Sequence, residues 1–188
     1  MSSSVHSVQF YADDQALISR LCSIVESGLK AGGAALVVAT EDHRAELASA
    51  LRASGLDLGT LGKRLQILDA REVLATFMVD GCPHRRRFND SVGKLLRSAR
   101  EAAGTNDHPV TVFGEMVALL WSDGKQAAAL ELERLWNDLL QHSGFHLHCA
   151  YPRWILQDKS SNVVIKAICD EHSSVLGFAG QVRYSPVA

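Results

Sequence analysis

Six consecutive residues, Ala34-Ala35-Leu36-Val37-Val38-Ala39, carry no polar side chain. The run has the length of a strand, and unbroken apolarity marks a strand covered on both faces, as in a parallel sheet packed between helices. Four more β-rich runs recur along the chain: residues 5–11 (VHSVQFY), 65–69 (LQILD), 110–113 (VTVF) and 145–151 (FHLHCAY). Between them the apolar positions repeat at helical intervals. Leu17, Ile18, Leu21, Ile24, Val25 and Leu29 form the first such set, ending at Gly32-Gly33, and Leu47, Ala48 and Leu51 the second. A third runs through Val73, Leu74, Phe77 and Met78 and stops at Gly81-Cys82-Pro83. Longer helices are predicted over 84–103 and 124–142, and a last one over 161–173.

Strands alternating with helices imply parallel pairing through right-handed crossovers. The expected fold class is therefore α/β, a three-layer sandwich around a mainly parallel central sheet, in one domain. Residues 1–4 read as a disordered N-terminus, 5–175 as the domain, and 176–188 as a C-terminal tail or an edge strand.

Composition narrows the function classes. Lys+Arg number 19 against 21 Asp+Glu, a net charge of −2, so bulk charge does not hold this chain to nucleic acid or a membrane surface. No stretch approaches the ~18 apolar residues of a membrane span. Asp13 and Asp14 fall where a signal peptide needs an apolar run. A soluble cytoplasmic domain is expected. Cys22, Cys82, Cys149 and Cys169 form no Cys-x-x-Cys pair, and read as reduced, mostly buried thiols.

Ligands of open α/β sheets bind beyond the carboxyl ends of the strands. The residues there define a candidate ligand site: Tyr11 and Asp14, Thr40 and His43, Asp69, Glu115, and Tyr151. Asp14, Asp42 and Asp69 also suit helix capping, whereas His43 and Glu115 are unusual caps. The turn after the first strand, Tyr11-Ala12-Asp13-Asp14-Gln15, has neither the glycines nor the lysine of a phosphate-binding loop. No Gly-x-Ser-x-Gly elbow occurs, and no catalytic residue is assigned.

His146-x-His148 and Cys169-x-x-His172 have metal-like spacing but close no four-ligand set, so neither metal nor cofactor is expected. Trp121, Trp136 and Trp154 sit among aliphatic residues and read as core or interface packing. Residues 84–100 hold Arg85, Arg86, Arg87, Lys94, Arg97 and Arg100 against Asp90 alone. That is a solvated helix face or a dock for an acidic partner. No helix-turn-helix separates from the sheet pattern, so direct nucleic-acid binding is not expected.

Several segments together resemble one family: residues 6–11 (HSVQFY) with Asp14, 28–32 (GLKAG) leading to Thr40 and His43, 68–70 (LDA), 113–121 (FGEMVALLW), 132–137 (LERLWN), 149–152 (CAYP), and Ile168-Cys169 with His172-Ser173. This pattern resembles the MEDS sensory domain over residues 5 to 175. More distantly it is similar to the RecA/KaiC ATPase core without its P-loop. The resemblance implies a non-catalytic domain that binds a small molecule, with small hydrocarbon derivatives as the family's proposed ligands. It implies signalling to a separate histidine kinase or transcriptional regulator, or through homo-oligomerisation. Two alternatives stand beside it. One is a degenerate nucleotide hydrolase with Glu115 as general base and His43 as acid; the other is an adaptor docking an acidic partner through Arg85, Arg86 and Arg87.

Overall fold

The computed structural model describes residues 4–104, 108–156, 161–176 and 183–184. The chain opens with β1 (Val5–Tyr11), α1 (Asp14–Lys30), β2 (Ala34–Ala39) and α2 (Glu41–Ala53). The short α3 (Leu58–Leu61) and a 3-10 turn (Gly62–Arg64) lead to β3 (Leu65–Asp69), α4 (Ala70–Ala75) and the hairpin β4 (Met78–Val79) and β5 (Cys82–Pro83). There follow α5 (Arg85–Ala103), β6 (Val110–Gly114), α6 (Met116–Ser122), α7 (Gln126–Ser143) and β7 (His146–Pro152). A 3-10 turn (Arg153–Leu156), α8 (Ser161–Asp170), β8 (Ser174–Leu176) and β9 (Arg183–Tyr184) complete it.

The main sheet has the order β3-β2-β6-β7-β1-β8-β9. Its first six strands run parallel, and β9 pairs antiparallel at the edge. Alternation along each strand divides the core in two. On one face Leu17, Leu21 and Val25 of α1 and Leu47 and Leu51 of α2 pack on Ala35, Val37, Ala39 and Phe113. On the other, Leu36, Val38 and Val112 lie under Phe88 and Val92 of α5, Met116 and Leu120 of α6, and Leu132 and Trp136 of α7. The chain is a three-layer α/β sandwich, with β2 and β6 buried along their whole length.

Entry into β2 depends on backbone contact. Gly33 N–H donates to Gly28 O at 3.0 Å, and Ala34 N–H donates to Pro109 O at 3.0 Å. A Cβ on Gly33 would lie 2.0 Å from Pro109 O. Gly33→Ala must push β2 away from the segment entering β6. Urea denaturation is expected to show a loss of about 1–3 kcal/mol, the range for forced overpacking.

The structure departs from the sequence reading in several places. The helix expected to reach Met78 ends at Ala75, where Thr76 Oγ1 donates back to Val73 O. Met78 and Val79 instead form the hairpin, closed by Asp80 (φ 49°) and Gly81 (φ 80°). Two successive positive-φ residues make the turn that matches strand twist, and Asp-Gly is its preferred pair. The last helix stops at Asp170 rather than 173, and the chain then pairs with β1 as β8. Of the four thiols only Cys149 is buried; Cys82 is exposed and Cys22 and Cys169 are half-buried. Residues 1–3 and, of the tail or edge strand expected over 176–188, all but Leu176 and Arg183–Tyr184 lie outside the described residues.

Candidate functional site

From β2 the chain goes to β3 on one side; from its neighbour β6 it goes to β7 on the other. That reversal opens a crevice at the carboxyl ends of β2 and β6. Thr40 and Glu115 are the residues that directly follow these two strands.

Glu115 N–H donates to Val38 O at 2.9 Å, which carries the β2–β6 ladder one step past β6. Its side chain, 4 % exposed, then turns across the crevice. Oε2 accepts from Thr40 N–H at 2.8 Å and Thr40 Oγ1 at 3.2 Å, and Oε1 meets His43 Nδ1 at 2.6 Å. The other ring nitrogen of His43, Nε2, faces Asp14 Oδ1 at 3.3 Å. The Tyr11 ring stands edge-on to the imidazole, 6.2 Å between centroids.

With a carboxylate at each nitrogen, His43 is held as an imidazolium. The hydrogen bond to Glu115 pushes its pKa up to about 9 against the opposing effect of burial. Burial, then the Glu115 and Asp14 charges, push the Tyr11 hydroxyl above its ordinary value, so it remains a neutral donor. Asp13, not Asp14, caps α1, accepting from Ala16 N–H at 2.8 Å, which leaves Asp14 to face His43.

These residues line an open cleft of about 540 Å³. Its further walls are Ala118, Leu119 and Ser122 of α6, Pro152 at the end of β7 and Trp154 in the turn that follows. Sequence reading did not single out the α6 residues. They stand three, four and seven positions beyond Glu115, the helical spacing that places them on the same face, and that periodicity was a usable signal. Trp154 is read from the sequence, with the other tryptophans, as core or interface packing. It is 52 % exposed and stands at the cleft, because it falls in the 3-10 turn after Pro152 rather than on a packed helix.

Tyr11, Asp14, Thr40, His43 and Glu115 are thus brought together, whereas Asp69 and Tyr151 are placed elsewhere. Asp69 caps α4, accepting from Arg71 N–H at 2.9 Å and Glu72 N–H at 3.0 Å, and pairs with Arg44 at 2.7 Å. The hydrogen bonds from Glu72 and Arg71 and the Arg44 charge hold its carboxyl below the usual range. Tyr151 pairs with Phe10 in the ladder, Pro152 with Tyr11. Its side chain therefore leaves the face opposite Tyr11, is fully buried, and donates to Glu133 Oε1 at 2.8 Å.

Arg85, Arg86 and Arg87 form the first turn of α5 and do not line this crevice. Arg85 is ion-paired with Asp138 of α7, and Arg86 lies 3.9 Å from Asp90.

Among the described residues no helix is long and apolar enough to cross a membrane. No curated protein matches the chain. The family model of the MEthanogen/methylotroph, DcmR Sensory domain matches residues 5–172, a span from β1 to the turn after α8 that contains the whole crevice. The chain belongs to the MEDS family of sensory domains.

Proposed function

We propose that this sensory domain is non-catalytic, binds a small molecule in the cleft between Tyr11, His43 and Trp154, and reports occupancy to a separate kinase or regulator in the cytoplasm. The observation that carries the reading is the cleft itself. Its 540 Å³ falls within the ~300–1,000 Å³ of small-molecule sites, and at a topological switch point it sets polar groups, Asp42 and Arg153 among them, beside the apolar Ala118, Leu119, Pro152 and Trp154. A ligand with a short apolar body and one hydrogen-bonding group suits Leu119, Ala118 and Trp154 on one side and Tyr11, Asp14 and Ser122 on the other.

The Thr40–Glu115–His43–Asp14 chain gives such a ligand leverage. It joins the ends of β2 and β6 to the first turns of α1 and α2, so contact with His43 or Asp14 bears on how these elements meet. A ligand that prefers one arrangement shifts the population toward it. The hydrolase alternative asks Glu115 to take a proton from water, yet both carboxylate oxygens already accept hydrogen bonds.

The test is thermal shift and calorimetry with short-chain alcohols and one- and two-carbon haloalkanes as probes. Binding is expected in the wild type and lost in Ser122→Trp, which fills the cleft from an exposed position and leaves the core untouched. No binding across the panel, or unaltered binding in the folded Ser122→Trp protein, overturns the assignment.

One observation favours the adaptor reading as a second. Three arginines occupy the positive end of α5, where the helix dipole disfavours cations. Such a placement gives up stability and suits an acidic partner surface. Salt-sensitive partner binding abolished by Arg86→Glu with Arg87→Glu, and indifferent to Ser122→Trp, would establish it.

A further inference from the structure

We propose that His6, Glu133, Cys149 and His172 form a closed tetrahedral site for a divalent transition metal of zinc's chemistry. The site is distinct from the cleft. His6 and Cys149 project from β1 and β7 on the face opposite Tyr11, Glu133 comes from α7, and His172 from the turn after α8. All four side chains are buried.

Four of the six donor–donor distances have the spacing of a coordination shell. Cys149 Sγ lies 3.4 Å from both His6 Nε2 and Glu133 Oε2. Glu133 Oε2 lies 3.4 Å from His6 Nε2 and 3.5 Å from His172 Nε2. All four atoms fall within 4.8 Å of one another. Bonds of ~2.0–2.3 Å to a tetrahedral zinc put neighbouring donors roughly 3.3–3.8 Å apart.

Proton counting points to a cation at the centre. Asn137 Nδ2 donates to Glu171 O and Oε2, both at 2.9 Å, which turns Asn137 Oδ1 toward His6 Nδ1 at 2.8 Å. His172 Nδ1 lies 2.6 Å from Ile168 O. Both oxygens only accept, so each Nδ1 carries a hydrogen, and each neutral ring turns the bare lone pair of Nε2 toward Glu133 Oε2. Three acceptors then share one proton, the S–H of Cys149. Protonating both rings would set two imidazoliums 3.9 Å apart in the interior. Protonating His6 alone leaves His172 Nε2 orphaned. Protonating His172 alone lets Cys149 S–H serve His6 Nε2 at 3.4 Å, yet His172 Nε2, 3.5 Å from Glu133 Oε2, still has no hydrogen-bond partner among the described residues.

A dication removes the conflict. It takes the lone pairs of both rings, Glu133 Oε2 and the Cys149 thiolate, whose proton leaves to solvent. The charge of the metal cancels those of one thiolate and one carboxylate, so the buried site is neutral. The outer partners fit the same reading. Each histidine donates Nδ1–H to a carbonyl oxygen, the usual support of a metal-bound imidazole, and Tyr151 O–H holds Glu133 Oε1 so that Oε2 alone faces the site. A soft sulfur, two imidazoles and one carboxylate suit zinc rather than magnesium or calcium. With all four positions filled by protein, the site is structural, and it ties α7 and the segment leading to β8 onto the first strand.

The test uses the full chain expressed in cobalt-supplemented medium, with cobalt per chain read by elemental analysis and visible absorption. About one cobalt per chain is expected, with tetrahedral d–d bands and a thiolate-to-cobalt charge-transfer band. The combined Cys22→Ser, Cys82→Ser and Cys169→Ser variant leaves Cys149 as the sole thiol and should retain both signals. Cys149→Ser, where folded, should lose the charge-transfer band, and Asn137→Leu should weaken metal retention ~10–100-fold. Folded wild-type protein that retains no cobalt, loss of the charge-transfer band in the triple variant, or its persistence in Cys149→Ser would each sink the proposal.

Discussion

Glu115→Ala is expected to lower the free energy of unfolding by about 3–5 kcal/mol, the range for removing one member of a buried, hydrogen-bonded charge pair. The loss is large because this one carboxylate serves three donors: Thr40 N–H, Thr40 Oγ1 and His43 Nδ1. Alanine leaves a buried imidazolium and a backbone N–H without their acceptor. Glu115→Gln keeps an oxygen for Thr40 and should lose less. The pair also has a pH signature. His43 titrates at about 9 in the folded chain against an ordinary value of ~6.5 unfolded. A raised pKa means that its contribution is complete below ~6.5 and is lost as pH rises through about 9. Wild-type stability should therefore fall across that window, and in Glu115→Gln the slope should flatten. Urea titrations at several pH values measure both effects, and a wild-type slope that Glu115→Gln leaves unchanged would assign the titration to another group.

Trp136→Ala is expected to cost a similar about 3–5 kcal/mol, by cavity formation instead of charge. The indole is fully buried on α7, edge-on to Phe88 at 5.1 Å and near Phe145 at 6.1 Å. It also reaches the end of β6, with Cζ2 3.8 Å from where a Cβ on Gly114 would stand, so it supports the strand that presents Glu115. Its Nε1 has no hydrogen-bond partner among the described residues. Trp136→Phe removes that unmatched N–H while keeping an aromatic ring, and should lose clearly less than alanine. Equal losses in the two variants would mean that ring packing is not what the site supplies.

The two substitutions divide what a sequence reader could see. Apolar periodicity marks the helix carrying Trp136, because burial of one face imposes a 3.6-residue repeat whatever the neighbours are. The fully apolar β2 follows likewise from cover on both faces. The cleft residues are partly visible for a similar local reason: a parallel sheet delivers every strand's C-terminal residue to one edge, and that gathers Tyr11, Thr40 and Glu115 from the strand pattern alone. Which of them meet was not visible. His43 and Glu115 are 72 residues apart, and their contact depends on β2 pairing directly with β6. Tyr151 illustrates the limit, since a shift of one position along a strand reverses its face, and register with Phe10 directs it to Glu133 instead of the cleft.

The buried His6–Glu133–Cys149–His172 group lies further beyond local reading. Metal-like spacings in the chain drew attention to His146 with His148 and to Cys169 with His172. The structure gives other partners: His148 bonds Ser7 and Gln9, and His172 joins Cys149 rather than Cys169. By itself, then, the sequence determined the layers, the strand edge that bears the polar residues, and the family, because these rest on local periodicity and short motifs. Only the tertiary structure decided which polar groups touch, because strand order and register join distant segments, His43 to Glu115 across 72 residues and His6 to Cys149 across 143.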